Sequence, residues 1–223
     1  MILAIETSTP VCSVALGKRG SVIEKRIEGR GVHSEHTFLF INELLQRYNL
    51  SVDDLDAVLF SNGPGSYTGL RIGAAAIKGL LFGRNVPLFT LSTLVSFSMA
   101  KCTKPGSIVH AVIDARRQHL YHQKIVMEGS GELTISEPVV KELAKLEAEI
   151  KPGEILIGTG WDRLQIENPD KVEKAGSEAV SAKNLIHAWN NSAFKAFFRE
   201  QSVEGFEPDY LTMAQINNSA LGK

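Results

Sequence analysis

The stretch from Ile2 to Ile27, ILAIETSTPVCSVALGKRGSVIEKRI, decides how the rest of this chain is read. Ile2 to Glu6 is a short apolar run of the kind a buried strand shows, and Thr7-Ser8-Thr9-Pro10 breaks it. Cys12-Ser13-Val14-Ala15-Leu16 resumes with strand-like alternation, Lys18-Arg19-Gly20 turns the chain, and Ser21 to Ile27 supplies a third strand. Three strands joined by tight turns predict an antiparallel meander. Beyond it the apolar period becomes helical from Ser34 to Tyr48, with Ser34 as the expected N-cap. A buried strand over Asp56–Ser61, the turn Asn62-Gly63-Pro64-Gly65, and a helix from Ser66 to about Phe82 follow. A strand at Val86–Thr90 and a helix at Ser92–Lys101 complete a β-β-β-α-β-α-β-α order.

Lys104-Pro105-Gly106 then marks a boundary, and the same grammar restarts. Ser107–Asp114 and His119–Val126 read as strands around Arg116-Arg117-Gln118, and Gly129-Ser130-Gly131 turns into Leu133-Thr134-Ile135. A helix near Lys141–Ile150, a strand at Glu154–Ile157 ending in Gly158-Thr159-Gly160, and a helix from Ser181 to Arg199 are expected. Pro169–Gly176 is charged and without period, so no element is expected there, and residues 212–223 carry no strong pattern. The reading is an α/β chain of two related lobes, 1–104 and 105–223.

The whole chain has 223 residues, 24 basic against 25 acidic, which leaves no bulk field to hold nucleic acid or an anionic membrane. Val86–Ala100, the longest uncharged run, is too short for a bilayer. The N-terminus has no basic leader, and two cysteines, Cys12 and Cys102, make neither a disulfide framework nor a zinc motif, so a reducing cytoplasm is the expected setting.

Two turns have the residue types that cradle phosphate. Glu6-Thr7-Ser8-Thr9 is a hairpin loop of small hydroxyl residues. Gly63-Pro64-Gly65-Ser66-Tyr67-Thr68-Gly69-Leu70-Arg71 opens a helix whose first N–H groups suit an anion. Each also reads as a plain polar turn, the second with Ser66 as N-cap. Gly69, Gly73, Gly79 and Gly83 recur in or next to that helix. Each interior glycine costs roughly 0.5–1 kcal/mol relative to alanine, so close approach by another backbone is the expected return. In the helix at 34–48, Phe38, Leu39, Phe40 and Ile41 are consecutive and spread around all sides, more than one sheet-facing stripe needs, so the helix is either buried on two sides within the chain or, as a chain this small favours, carries a partner-binding face. His33 and His36 lack a third metal ligand, His119 and His122 fall on opposite faces of a strand, and no Gly-x-Ser-x-Gly elbow is present.

Ile2-Leu3-Ala4-Ile5-Glu6-Thr7-Ser8, Gly63-Pro64-Gly65-Ser66-Tyr67-Thr68-Gly69-Leu70-Arg71-Ile72-Gly73, Asp114-Ala115-Arg116-Arg117-Gln118-x-x-Tyr121 and Pro208-x-Tyr210-Leu211 together resemble the bacterial TsaB (YeaZ) family. The resemblance implies the actin/Hsp70/sugar-kinase (ASKHA) fold, in which ATP sits between the lobes. It also implies that the nucleotide site has decayed. The first hairpin, usually Asp-x-Gly-Ser/Thr, reads Glu6-Thr7-Ser8-Thr9, and the second, usually Asp-x-Gly, reads Asp114-Ala115-Arg116. Thr93 and Phe97 stand where the TsaD relatives carry metal-binding histidines, and the adenosine turn survives as Gly158-Thr159-Gly160. The vestigial nucleotide residues are thus Glu6, Ser8, Gly63, Gly65, Ser66, Asp114, Gly158 and Gly160, with no catalytic residue, no metal, and at most weak ATP or ADP binding as cofactor chemistry.

Such chains resemble the partner of TsaD in making N6-threonylcarbamoyladenosine beside the anticodon of tRNAs that read A-starting codons. The resemblance implies a heterodimer with a TsaD homologue, an ATPase, TsaE, joining the pair, tRNA met through the complex, and a homodimer when the chain is alone. The interface residues expected are Phe38, Ile41, Leu45, Leu70, Gly73, Ile77 and Leu81. The competing expectations are a nucleotide-dependent ATPase using Glu6, Asp114 and Arg116, and, last, a glycoprotease-like peptidase.

Overall fold

The opening strand becomes the middle of a sheet. In the computed structural model, which describes residues 1–18 and 20–211, β1 (Ile2–Glu6), β2 (Val11–Lys18) and β3 (Ser21–Glu28) form the antiparallel meander, with Ile5 opposite Val14 and Val14 opposite Lys25. Every residue of β1 is buried, because both faces of the strand are covered. Leu3 and Ile5 point to one side and Ile2 and Ala4 to the other, as strand alternation requires. After α1 (His33–Arg47), β4 (Ala57–Ser61) pairs parallel to β1; after α2 (Tyr67–Leu81), β5 (Leu88–Leu91) pairs parallel to β4. Ser66 caps α2 as expected, its hydroxyl accepting from Gly69 N at 3.2 Å. Ser34 does not cap α1: the helix begins at His33, Val32 occupies the cap, and Ser34 Oγ instead donates to the Gly31 carbonyl.

A short helix, α3 (Thr93–Ser98), leads into the second sheet. There β6 (Ile108–Asp114) and β7 (His119–Met127) form a hairpin, and β8 (Leu133–Ile135) and β9 (Val139–Glu142) pair in turn with two halves of the far edge of β7. The helix expected from Lys141 is therefore only α4 (Leu143–Glu147), since β7 recruits Val139 to Glu142 as a strand. β10 (Ile155–Gly158) lies parallel to β6, and β11 (Glu173–Ala175), inside the segment where no element was expected, lies parallel to β10.

The chain then leaves the second lobe. α5 (Lys183–Asn190) packs on β1, β2, β3 and β4 and against α3. α6 (Ser192–Lys195) follows a break at Asn191, whose extended backbone ends α5 and whose side chain caps the next turn at Ala193 N, 3.0 Å. β12 (Arg199–Gln201) pairs antiparallel to β5. The single helix expected over 181–199 is thus two helices and a strand. The expected lobe 105–223 is corrected likewise: residues 183–211 build onto the first sheet, and residues 212–223 lie outside those described.

The strand orders are β12-β5-β4-β1-β2-β3 and β11-β10-β6-β7-β8, with β9 on β7. α1 and α2 cover the outer face of the first sheet, α4 the outer face of the second, and α3 with α5 fill the space between. That middle core draws Ala4 and Ala15 from one sheet and Val109 and Ala111 from the other, so the lobes share their largest buried surface.

Candidate functional site

The lobes face each other across a cleft of about 1280 Å³. Its first wall is the loop between β1 and β2 together with the start of α2. Glu6, which ends β1, is wholly buried, and its Oε1 accepts from Ser8 N (2.7 Å) and Ser8 Oγ (2.5 Å). Oε2 faces the Ser61 hydroxyl without a bond of normal geometry, and burial pushes the carboxyl pKa up. A carboxyl held inward in this way braces its own turn and presents no oxygen to a ligand.

The glycines of the long motif bring α2 down on this loop. A Cβ at Gly65 would collide with the Ser8 carbonyl oxygen and one at Gly69 with that of Thr7, while at Gly73 it would strike the Thr7 hydroxyl and the Phe60 ring. Ser66 N donates to Ser8 O at 2.6 Å, so one of the helix N-terminal donors already serves the loop. Gly63, at φ +118°, accepts from Thr93 N (2.8 Å), donates to the Thr93 hydroxyl (3.0 Å) and lets the Asp209 carbonyl pass where a side chain would stand. The motif is a three-way junction of backbones.

The second wall is the tip of the β6–β7 hairpin. Arg116 (φ +70°) and Arg117 (φ +51°) are successive left-handed residues, exposed, with Arg116 N held by Asp114 Oδ1 at 2.7 Å. Asp114 Oδ1 also receives the Arg163 guanidinium. Gly158 and Gly160, both at positive φ, admit the Val112 carbonyl and the Asp114 backbone to close contact. Of the residues expected at a vestigial nucleotide site, Ser8, Gly65, Ser66, Asp114 and Gly160 line the cleft, whereas Glu6, Gly63 and Gly158 lie behind it. Thr93 and Phe97 are fully buried in the middle core. His33 is buried with Nε2 bonded to the Thr9 carbonyl (2.8 Å), and His36 Nδ1 bonds back to Val32 O (3.0 Å), so the pair faces different partners.

A buried relay escaped the sequence reading. His122 Nε2 meets His110 Nδ1 at 3.0 Å, and His110 Nε2 meets Glu154 Oε2 at 3.0 Å. Two neutral imidazoles satisfy this chain, with each Nε2–H donating onward and Glu154 as the final acceptor. Burial, the His110 ring, Lys141 and Lys124 push the His122 pKa down to about 3. The legible signal was the alternation of β7, which puts His122 on the inward face with Leu120; its partners on β6 and before β10 were not.

The outer face of α1 and α2 is the second candidate surface. Of the interface residues expected, only Phe38 is exposed (44%). Ile41, Leu45, Leu70, Ile77 and Leu81 are buried against the sheet, and Gly73 is packed on Thr7 and Phe60. The correction has a simple cause: these are the residues of each helix's inward stripe, and what a partner can reach is the apolar surplus outside it. That surplus is Phe38 and Leu39 on α1, and Ala75, Gly79 and, just beyond α2, Phe82, which is 82% exposed. The Phe38 ring lies over Gly79 at van der Waals distance of a would-be Cβ, 3.9 Å.

A sequence profile of the family TsaD, tRNA N6-adenosine threonylcarbamoyltransferase, matches residues 29–159. The tRNA threonylcarbamoyladenosine biosynthesis protein TsaB of Escherichia coli K12 is 33% identical over 224 residues, covering 94% of each chain. The TsaB of Haemophilus influenzae is 33% identical over 170 residues, 72% of each. A tRNA N6-adenosine threonylcarbamoyltransferase of Bacillus thuringiensis is 33% identical over 105 residues, 40% of this chain and 31% of its own. Among solved structures, YeaZ from Pseudomonas aeruginosa superposes with a TM-score of 0.76 at 25% identity, covering 94% of this chain and 99% of its own. The two mixed sheets with flanking helices are of the actin-like ASKHA class that this likeness and the family match indicate.

Proposed function

The chain belongs to the TsaB family of tRNA threonylcarbamoyladenosine biosynthesis proteins, which places it in the formation of N6-threonylcarbamoyladenosine on tRNA, and within that role we propose that it is the non-catalytic partner of a TsaD-type transferase. The observation that carries the proposal is the outward face of α1 and α2. A bare Phe82 and a half-exposed Phe38–Leu39 pair beside a glycine–alanine stripe are what an intersubunit helix packing leaves behind when the partner is removed. The sealed Glu6, the loop closed under α2 and the fully buried Thr93 and Phe97 support a non-catalytic role, because the positions that bind nucleotide or metal in the resembled enzymes serve packing here.

In this reading a TsaD homologue covers the α1–α2 face, a TsaE-type ATPase joins the pair, tRNA is met through the complex in the cytoplasm, and the chain alone pairs with a second copy through the same face. No helix among the described residues is long and apolar enough to cross a membrane. The test combines the purified chain with the TsaD and TsaE homologues of its organism and quantifies threonylcarbamoylated adenosine on tRNA. Product is expected to require this chain and to fall by tenfold or more, on the order of the loss of one aromatic anchor, with Phe82→Glu or Phe38→Glu. Product formed equally well without the chain overturns the role. Sedimentation at tens of micromolar is expected to show a dimer that the same substitutions dissolve.

A second reading, weak ATP or ADP binding or hydrolysis, is favoured by one observation: the cleft stays open and keeps Ser8, Ser66, Asp114 and Arg116 on its walls. Calorimetric titration of the lone chain with ATP, repeated with Arg116→Ala, distinguishes it. The peptidase reading finds no support in these walls, which lack a paired nucleophile and base.

A further inference from the structure

The two lobes touch unequally at front and back. At the front, among the described residues, no hydrogen bond links the first hairpin loop (7–10) to the second hairpin tip (114–118). At the back, residues 176–183, which carry the chain from β11 to α5, run along the edge strand β3 and are bound to it side chain by side chain. Glu24, Arg26 and Glu28 share one face of β3 by the two-residue period. Arg26 donates from Nε to the Val180 carbonyl (3.1 Å) and from Nη2 to the Ser177 carbonyl (2.7 Å), while pairing with Glu28 at 3.3 Å. Glu28 in turn accepts from Ser177 Oγ at 2.9 Å. Glu24 Oε1 accepts from Ser13 Oγ (2.6 Å) and Ser181 Oγ (2.5 Å), its Oε2 lies 3.6 Å from Lys183 Nζ, and Ala182 N donates to Ser13 Oγ at 2.8 Å.

We propose that β3 and residues 176–183 form a clasp that holds the two lobes at one separation, making the cleft a fixed frame. Three features support this beyond the number of bonds. The carboxylate acceptors make the bonds charge-assisted, and the Ser13–Ala182 end is fully buried, where water cannot replace a broken bond. Each end of the clasp adjoins a wall of the cleft: β3 continues into Gly29, Arg30 and Gly31, and the glycine at 176 makes room for the indole of Trp161, next to Gly160 and Asp162. Finally, with no bond across the open front, the back is where side-chain bonds can add to the shared middle core in setting the distance. The plainer role for such contacts is to cover an edge strand against unwanted pairing, and that role does not require the lobe separation to depend on them.

Spin labels at Arg30→Cys and Asp162→Cys, on opposite cleft walls, read the separation directly; the native Cys12 and Cys102 are buried and do not compete for the label. The unaltered clasp is expected to give one narrow distance distribution, and Arg26→Ala with Glu24→Gln a broadened or doubled one. Amide exchange of residues 177–183 should rise about tenfold or more, the equivalent of one to two lost hydrogen bonds. A rise in exchange with the distance distribution still narrow leaves only edge covering and overturns the clasp, as does a broad distribution in the unaltered chain. Should the double variant fail to fold by circular dichroism, Ser177→Ala and Lys183→Ala, which each remove one contact, are measured instead, and a narrow distribution in both overturns it equally.

Discussion

The two hairpins that face each other across the cleft hold corresponding places in their lobes and have been built in opposite ways. The first, at Glu6–Pro10, is crowded: its carboxyl is buried, its hydroxyls lie inside, Gly65 and Gly69 press on its backbone and Gly73 on the Thr7 side chain. The second, at Asp114–Gln118, stands free, with two arginines in a left-handed turn and its aspartate taken by Arg163. One loop is closed by packing and the other by side-chain bulk and backbone shape. Two loops in corresponding places of related lobes can therefore be shaped by two independent means, and the two carry opposite stability signatures.

The largest effect is expected where the first hairpin is tightest. Gly69→Ala places a methyl against the Thr7 carbonyl, which Ser8 and Ser66 prevent from moving, and should cost about 3 kcal/mol, read as a lower urea midpoint at unchanged slope. A neutral outcome would mean the loop is loose and the contrast false. Next comes acid. Under the second hairpin, His122 takes a proton in the unfolded chain below its ordinary pKa of 6.5 but in the folded chain only near 3. The unfolded state thus binds more protons in that window, and stability should fall as pH drops from about 6.5 towards 3. His122→Leu should remove one proton's share of that slope, about 1.4 kcal/mol per pH unit, in denaturation series across pH.

Glu6 has the reverse sign. Its folded pKa is raised above 4.5, so the stability its proton confers is complete below 4.5 and is lost as pH rises through the folded value. Glu6→Gln should therefore raise the urea midpoint at pH 8 and leave it nearly unchanged at pH 4. Equal shifts at both values would show that the carboxyl is not paying for its burial. The smallest effect sharpens the comparison from the other side: Arg117→Gly relieves a left-handed side-chain conformation and should stabilise by about 1 kcal/mol, whereas glycine-to-alanine changes in the first hairpin's contacts only destabilise.

The sequence was most legible where local chemistry and tertiary role coincide. The meander of β1 to β3 announced itself by alternation and turn residues, and α2 by Ser66 at its cap; the glycines at 69 and 73 signalled close approach before the approaching atoms were known. It was least legible where an element exists only because a distant strand recruits it. β9, β11 and β12 are three or four residues long and have no period of their own. Which residues of α1 and α2 stay at the surface was illegible for a related reason. Within a run such as Phe38 to Ile41, side chains of equal hydrophobicity go inward or outward according to which arc of the helix meets the sheet, so Phe40 and Ile41 are core and Phe38 and Leu39 are left on the surface. The His110–His122–Glu154 relay joins residues up to 44 positions apart, and nothing nearby in the chain marks them as partners.

The return of β12 to β5 has a consequence for how the chain is made. Thr90 and Arg199, which meet across that pairing, are 109 positions apart. At roughly 5–20 residues per second, the ribosome takes on the order of 5–20 s to deliver the strand that closes the first sheet. Throughout that interval the first half of the nascent chain holds an open β5 edge and an unfilled seat for α5, so the chain's order of synthesis, more than its order of stability, sets when the protein is safe from pairing with a neighbour.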